Sequence, residues 1–424
     1  MNMIRKRFTI LFFIIFMFCA IFTPDFFSFS MRYLIVIISI IGVAWGSVST
    51  GKLRIDKCNY SIIKGFLPFM LYFVFSQFLR CVFDSSNSSI YISTLGHTLL
   101  AFFGALLICM FIVQTCKKKD ISFDNFIYII LVVMIIQLAC VVLALTVPSV
   151  RQYFNMLIIN NSYSDRLAEL ARASLSGWAD RSYGLSNNLF DSFGYITSML
   201  IVLIFAYGME KSNNKLIILS VIFVLMPLVN ARTGIVLVLI GFFIVGVFYN
   251  DIRAVLKISG IVILSVVALV LLLNQLPDLM VKWLTSGLEE TLSLFNRSGK
   301  TGVYSEIFGS DLSFPPSVLL GAGGAPSAFS HGGVDNGYIN CLWYFGLIGT
   351  ILLFAGYINM FHVLRKNTQS KLYKVISVVL ITIFLVYQLK IYSIDNFGGN
   401  VIIFGVPTLI IALQQSRDNV EELK

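Results

Sequence analysis

NFIYIILVVMIIQLACVVLALTV, Asn125–Val147, runs without a single charged residue. A helix of about 20 apolar residues crosses the hydrocarbon of a bilayer, where each backbone group must find its hydrogen bond inside the segment. This stretch therefore predicts a membrane-spanning helix, and reading outward from it predicts more of the same. Apolar runs cover 8–23, 33–49, 65–83, 93–115, 125–147, 188–208, 216–230, 235–249, 258–274, 337–361, 375–393 and 398–415. The break Asn230-Ala-Arg-Thr-Gly234 predicts a tight turn between two helices. The fold class expected is all-α: a polytopic membrane protein of about twelve spans, with residues 1–424 forming one integral domain.

Composition points the same way. Hydrophobic residues make up 58% of the 424 positions and charged residues 12%, with a mean hydropathy of +0.87. A soluble domain cannot hide that much apolar surface. Met1–Arg7 followed by Phe8–Thr23 has the look of a signal peptide, but no small-x-small cleavage site follows, so a retained first helix is expected. None of the seven cysteines lies well inside a long loop, and three scattered histidines form no zinc pattern.

Lysine and arginine orient the chain. With the N-terminus inside, the inner segments hold twenty of the thirty-one basic residues, and the short outer turns hold only Arg32, Arg80, Arg232 and Lys390. The net charge of +10 is then mostly anchoring charge at an anionic lipid surface. No basic module interleaved with aromatics suggests nucleic acid. The two ends also differ in kind: lysine outnumbers arginine fourteen to six inside, while arginine outnumbers lysine eight to three outside. The planar guanidinium grips phosphate or carboxylate bidentately, where lysine acts as a point charge. Oxyanion recognition on the outer face, or chance composition with surface solubility, accounts for that bias.

Two hydrophilic segments, 148–187 and 275–336, interrupt the apolar pattern on the outer side. Arg166, Arg172 and Arg181 lie in the first. Arg181 stands just before a span, where it binds phosphate or sugar, or pairs with Asp180 or Asp191. Arg232 sits in a very short turn, where a charge close to hydrocarbon is costly unless it is paired, working or snorkelling. In the second segment, Leu276–Phe295 has apolar residues at helical spacing and predicts an interfacial amphipathic helix. It walls a lipid groove or merely packs over the bundle. The segment ends in Leu320-Gly-Ala-Gly-Gly-Ala-Pro-Ser-Ala-Phe-Ser-His-Gly-Gly-Val-Asp-Asn336. His331 is the histidine able to move a proton near neutrality. Asp335 and Asn336 orient it, act themselves or bind hydroxyls. Alternatively, the stretch is a re-entry turn with Asp335-Asn336 capping the next helix. The glycines do not form a P-loop.

Taken together, the twelve-span layout, the arginine-bearing outer segment, the Asn230–Gly234 turn and the ending Asp335-Asn-Gly-Tyr-Ile339…Gly346-Leu-Ile-Gly349 resemble the Wzy-type O-antigen polymerases. The related O-antigen ligases share the layout. The resemblance implies a GT-C-like glycosyltransferase in the bacterial inner membrane, with cytoplasmic termini and a periplasmic active face. Its substrate would be glycan linked to undecaprenyl diphosphate, with membrane lipid around it and a chain-length regulator and flippase of the same pathway as partners. No cofactor or metal is implied, since arginine supplies positive charge. Family members carry paired arginine motifs in two outer loops. Arg166 to Gly177 has ten intervening residues, close to that pattern, whereas Arg297 to Gly309 has eleven and departs from it. The expected site is therefore His331 and Asp335 for proton transfer, with Arg181, Arg232, Arg172, Arg166 and Asn336 binding diphosphate and sugar. A ligase, or a flippase of lipid-linked sugars, is the alternative.

Overall fold

The computed structural model describes residues 2–26, 29–50, 57–119, 121–147, 149–150, 153–154, 184–186, 190–230, 232–250, 260, 313–329, 336–366, 370–390 and 392–421. These residues are almost wholly helical. In chain order they form α1 (Asn2–Phe22), a two-residue antiparallel hairpin (Asp25–Phe26 with Phe29–Ser30), α2 (Met31–Thr50), α3 (Lys57–Phe83) and α4 (Ser88–Leu99). A π-turn (Leu100–Gly104) leads from α4 into α5 (Ala105–Lys119), followed by α6 (Phe123–Thr146). Then come α7 (Phe190–Glu210), α8 (Asn214–Phe223), α9 (Leu225–Asn230), α10 (Arg232–Tyr249), α11 (Gly337–Lys366), α12 (Lys371–Gln388) and α13 (Phe397–Glu421). Helices occupy eleven of the twelve stretches read from the sequence. The stretch 258–274 and the amphipathic segment 276–295 lie outside the described residues.

Among the described residues, six helical segments are long and apolar enough to cross a membrane: Tyr60–Phe83, Ser85–Lys119, Phe123–Thr146, Ser192–Glu210, Gly337–Lys366 and Lys371–Gln388. Five further apolar helices are shorter. Large side chains such as Leu71, Phe75, Phe78 and Phe83 stand 61–83% exposed along α3, as a lipid-facing surface requires. The architecture is that of an α-helical, membrane-embedded protein.

The chain divides into two compact units, with the boundary falling inside α2. The first comprises 1–38 and 119–297. At its centre α7 packs along α10 and α8, and Phe193, Ile196 and Leu200 are fully buried. A helix apolar all round belongs inside a bundle. Two of its hydroxyls bond back to the preceding turn: Thr197 Oγ1 donates to Phe193 O (2.7 Å) and Ser198 Oγ to Tyr195 O (2.8 Å).

The second unit comprises 39–118 and 298–424. Here α3 and α11 pack closely because glycines replace side chains at the seam. A Cβ on Gly349 would fall 2.7 Å from the Tyr72 ring, and one on Gly356 2.5 Å from that of Phe66. Phe66, Phe69, Phe102, Phe345, Tyr357 and Phe404 interlock largely edge to face behind that seam.

Candidate functional site

The polar chemistry of the second unit gathers at one end, and a broken helix organises it. Gly346 (φ 67°, ψ 179°) interrupts α11, a conformation essentially reserved for glycine. The break frees backbone groups that hydrocarbon cannot satisfy. The segment Ser313–Phe329 supplies their partners. Leu347 N donates to Val318 O (2.8 Å) and Ile348 N to Leu319 O (3.3 Å), while Trp343 O accepts from Ala322 N (2.8 Å) and Gly323 N (2.9 Å). Gly321 (φ 74°) and Gly323 (φ 88°) turn the segment. A Cβ on Gly346 would lie 2.5 Å from Gly321 N, and one on Gly321 2.5 Å from Gly346 N, so the two backbones meet only as glycines. The Trp343 indole donates to Ser313 O (2.8 Å) and stacks on Phe329 (6.2 Å between centroids). Tyr72 OH donates to Phe345 O (3.1 Å).

The last turns of α3 lock onto the same segment. Gln77, fully buried, donates from Nε2 to Gly323 O (3.1 Å). Its Oε1 is buried and has no partner among the described residues. Arg80, half-buried, donates from Nη2 to Leu320 O and Gly321 O, and from Nη1 to Ser76 Oγ (3.4 Å). A guanidinium has five N–H donors. Among the described residues, Nε–H and one Nη1 proton of Arg80 are thus left without an acceptor, and no carboxylate pairs with it. A Cβ on Gly323 would touch its Cδ (2.7 Å), Nη1 (2.9 Å) and Nε (3.0 Å).

A polar stripe on α4 continues the site. Tyr91, Thr94 and Thr98 are all buried and share one face by their spacing, spanning about 10 Å along the axis. Tyr91 OH donates to Asp84 (2.6 Å), which also accepts from Ser86 Oγ (2.6 Å) and Asn87 Nδ2 (2.9 Å). The hydrogen bonds from Ser86, Tyr91 and Asn87 hold the Asp84 carboxyl down to about 2. Thr94 lies beside Gly324. Thr98 Oγ1 donates to Asp395 (3.0 Å) in the connector between α12 and α13. Tyr344 and Tyr392 stack nearly parallel there, 4.5 Å apart. Burial and then the charge of Asp395 raise the Tyr392 phenol well above its ordinary value. Asn400 Nδ2 donates to Ile394 O (2.8 Å) and Ala101 O (3.3 Å), the latter within the π-turn. The end of this unit thus carries a cation (Arg80), two carboxylates (Asp84 and Asp395) and a row of hydroxyls facing an apolar interior. It is able to hold a polar, charged group at the edge of a lipid phase. Among the described residues, no three His, Cys, Asp or Glu side chains gather to hold a metal.

The residues expected from the sequence fall on both units. Arg166, Arg172, Arg181, His331 and Asp335 lie outside the described residues. Asn336 is described and buried. Its Oδ1 accepts from Tyr338 N (3.0 Å) and Ile339 N (3.2 Å), so it acts as the cap of α11. Arg232 opens α10 two residues after Asn230, the last residue of α9, so the helix does break where the sequence predicted; the side chain of Arg232 and the residue between the helices are outside the described set. Gly234 presses the start of α10 against α7: a Cβ there would lie 2.8 Å from Gly194 Cα. The Arg232 turn therefore adjoins the first turn of α7, which directly follows the Arg181 segment. Next to it, Asn230 is buried and donates to Met226 O (2.9 Å), leaving its Oδ1 without a partner among the described residues. Upstream, Gly184 (φ 58°) fits against Gln137 and Cys140 of α6, and Ser186 Oγ donates to Phe22 O (3.4 Å).

Sequence reasoning counts Arg80 only among the outer basic residues and gives Gln77 and Asp395 no role. The available signal was Gln77 and Arg80 three residues apart on one helical face, a polar pair in an otherwise apolar run. Comparison with protein-family models and with curated proteins finds no match to this chain.

Proposed function

We propose that this protein is a glycosyltransferase of the O-antigen polymerase type, joining oligosaccharide units carried on undecaprenyl diphosphate at the periplasmic face of the bacterial inner membrane. One observation carries most weight. Gly234, two residues after Arg232, packs on Gly194 near the start of α7, and Arg181 stands nine residues ahead of that helix in the sequence. Preorganised guanidinium groups stabilise negative charge that grows on a departing diphosphate.

In this reading a hydroxyl of the incoming lipid-linked unit attacks the anomeric carbon of the growing glycan. A new C–O bond forms, the bond from that carbon to the lipid diphosphate oxygen breaks, and the diphosphate leaves with the electron pair. Arg181 and Arg232, aided by Arg172, neutralise it. Arg166 and Asn336 contact diphosphate or sugar. His331, or Asp335, takes the hydroxyl proton. Arginine supplies the positive charge, so the mechanism asks for no divalent metal.

The experiment is Arg181→Ala and Arg232→Ala in the native host, with membrane expression verified. Surface polysaccharide should collapse from long chains to single capped repeats. Unchanged chain length would falsify the assignment. A deletion strain lacking all surface glycan would instead indicate a ligase, and one accumulating lipid-linked units on the inner leaflet a flippase.

A further inference from the structure

A reaction that joins two lipid-linked units handles two lipid-borne phosphates, and the arginines of the first unit account for one. We infer that Arg80 and Gln77 of the second unit form another: a subsite for a phosphate or diphosphate esterified to a long apolar chain, the lipid carrier of one of the two substrates. This inference rests on the proposed function and names a binding site for that substrate class.

Three observations support it. Arg80 keeps two N–H donors beyond those it gives to Leu320 O, Gly321 O and Ser76, and its guanidinium is held in place by those bonds before any ligand arrives. Charge-assisted contacts to phosphate are among the stronger hydrogen bonds. Gln77, with no exposed surface, holds an acceptor oxygen that lacks a partner among the described residues, beside the same Gly323 carbonyl. A buried water beneath the ligand, donating to that oxygen on one side and to the phosphate on the other, satisfies it. Around this polar point the surface is apolar and open: Leu319 is 54% exposed, Leu320 50%, Phe78 61% and Phe83 83%. A phosphate without a lipid tail would leave these side chains uncovered. A tail lying along them shares the membrane with the protein.

The test uses the full-length protein in nanodiscs of phosphatidylcholine, probed with a diazirine-tagged polyprenyl monophosphate and mapped by peptide sequencing. Labelling is expected within 314–320 and 78–83. Untagged polyprenyl phosphate should compete, while polyprenol and phosphatidylglycerol should compete at least roughly tenfold more weakly, the scale of a charge-assisted bond. Arg80→Gln and Gln77→Met should each reduce labelling at these peptides, with Arg80→Lys intermediate. Equal competition by polyprenol removes the phosphate from the proposal, and equal competition by phosphatidylglycerol replaces the substrate lipid by bulk lipid; either result overturns it. So does full labelling in a correctly folded Arg80→Gln protein. If the Arg80 variants do not fold, the wild-type map and its competition series decide alone. Binding is read without glycosyl transfer, so the two ideas fail separately. Loss of chain length in Arg181→Ala alongside unaltered labelling in Arg80→Gln sinks only this subsite. Phosphate-dependent labelling with unchanged chain length in Arg181→Ala and Arg232→Ala sinks only the transferase assignment.

Discussion

At the scale of the residue, single atoms decide whether the site can form. Gly346 sits at φ 67° and ψ 179° with Gly321 N where its Cβ would be. Gly346→Ala combines strained backbone, on the order of 1–3 kcal/mol, with a steric collision that neither backbone can avoid. We expect a clear drop in the unfolding temperature of the purified protein, and loss of the Arg80 contacts with the 320–323 turn. An unaltered melting curve would contradict the docked geometry. Asp84 yields a pH prediction. Its folded carboxyl is held down to about 2 by Ser86, Tyr91 and Asn87, below its ordinary value of 3.8. A lowered folded value means the stabilisation is complete above the ordinary value and is lost as pH falls through the folded one. The stability difference between the wild type and Asp84→Asn should therefore stay constant from neutral pH to about 4, and shrink between about 4 and 2. A difference that grows on acidification would reverse the sign and refute it.

At the scale of the element, departures from regular helix mark where neighbours intervene. The π-turn Leu100–Gly104 presents Ala101 O to Asn400 Nδ2 of α13. Such turns insert one extra residue and release a carbonyl from the helical ladder. Asn400→Leu leaves that carbonyl and Ile394 O without their donor in a buried place, at a cost of roughly 1–3 kcal/mol. Thermal unfolding of the variant in detergent measures it. A Cβ at position 234 meets Pro227 Cβ at 2.7 Å and Gly194 Cα at 2.8 Å. Gly234→Ala must push α10 away from α7 and move the Arg232 turn. Under the proposed function, surface polysaccharide chains should shorten although no arginine has changed. Chains of normal length would show that the turn's position does not matter to the activity.

At the scale of the whole molecule, the prediction concerns orientation. Basic residues concentrate on the side where α7 joins α8 and α5 joins α6, which the sequence assigns to the cytoplasm. In a protein stripped of native cysteines, Ser86→Cys should react with an impermeant thiol reagent on intact cells once the outer membrane is permeabilised. Asn214→Cys should react only after the inner membrane is opened. The opposite pattern would invert the topology. How much was legible in advance follows the same scale. Apolar runs marked the helices because hydropathy is a local sum, and the break between α9 and α10 was legible for the same reason. The α4 stripe escaped notice because tyrosine and threonine read as unremarkable in an apolar run, and their meaning depends on what faces them. Arg80 reads in sequence as an outer anchoring charge, and only Leu320 and Gly321 beside it give it a further role.

The sequence by itself determined the class and where the described helices run, because a chain this apolar can satisfy its backbone in lipid only by coiling into helices. It also determined where charge is tolerated, since basic residues settle at the ends of such helices. Only the tertiary structure decided that α11 is broken at Gly346, that residues 317–323 complete the break, and that Gln77, Arg80, Thr98 and Asp395 share one end of a unit. Those features arise from contacts between segments tens to hundreds of residues apart, and no local pattern of hydropathy or charge encodes which backbone will meet which.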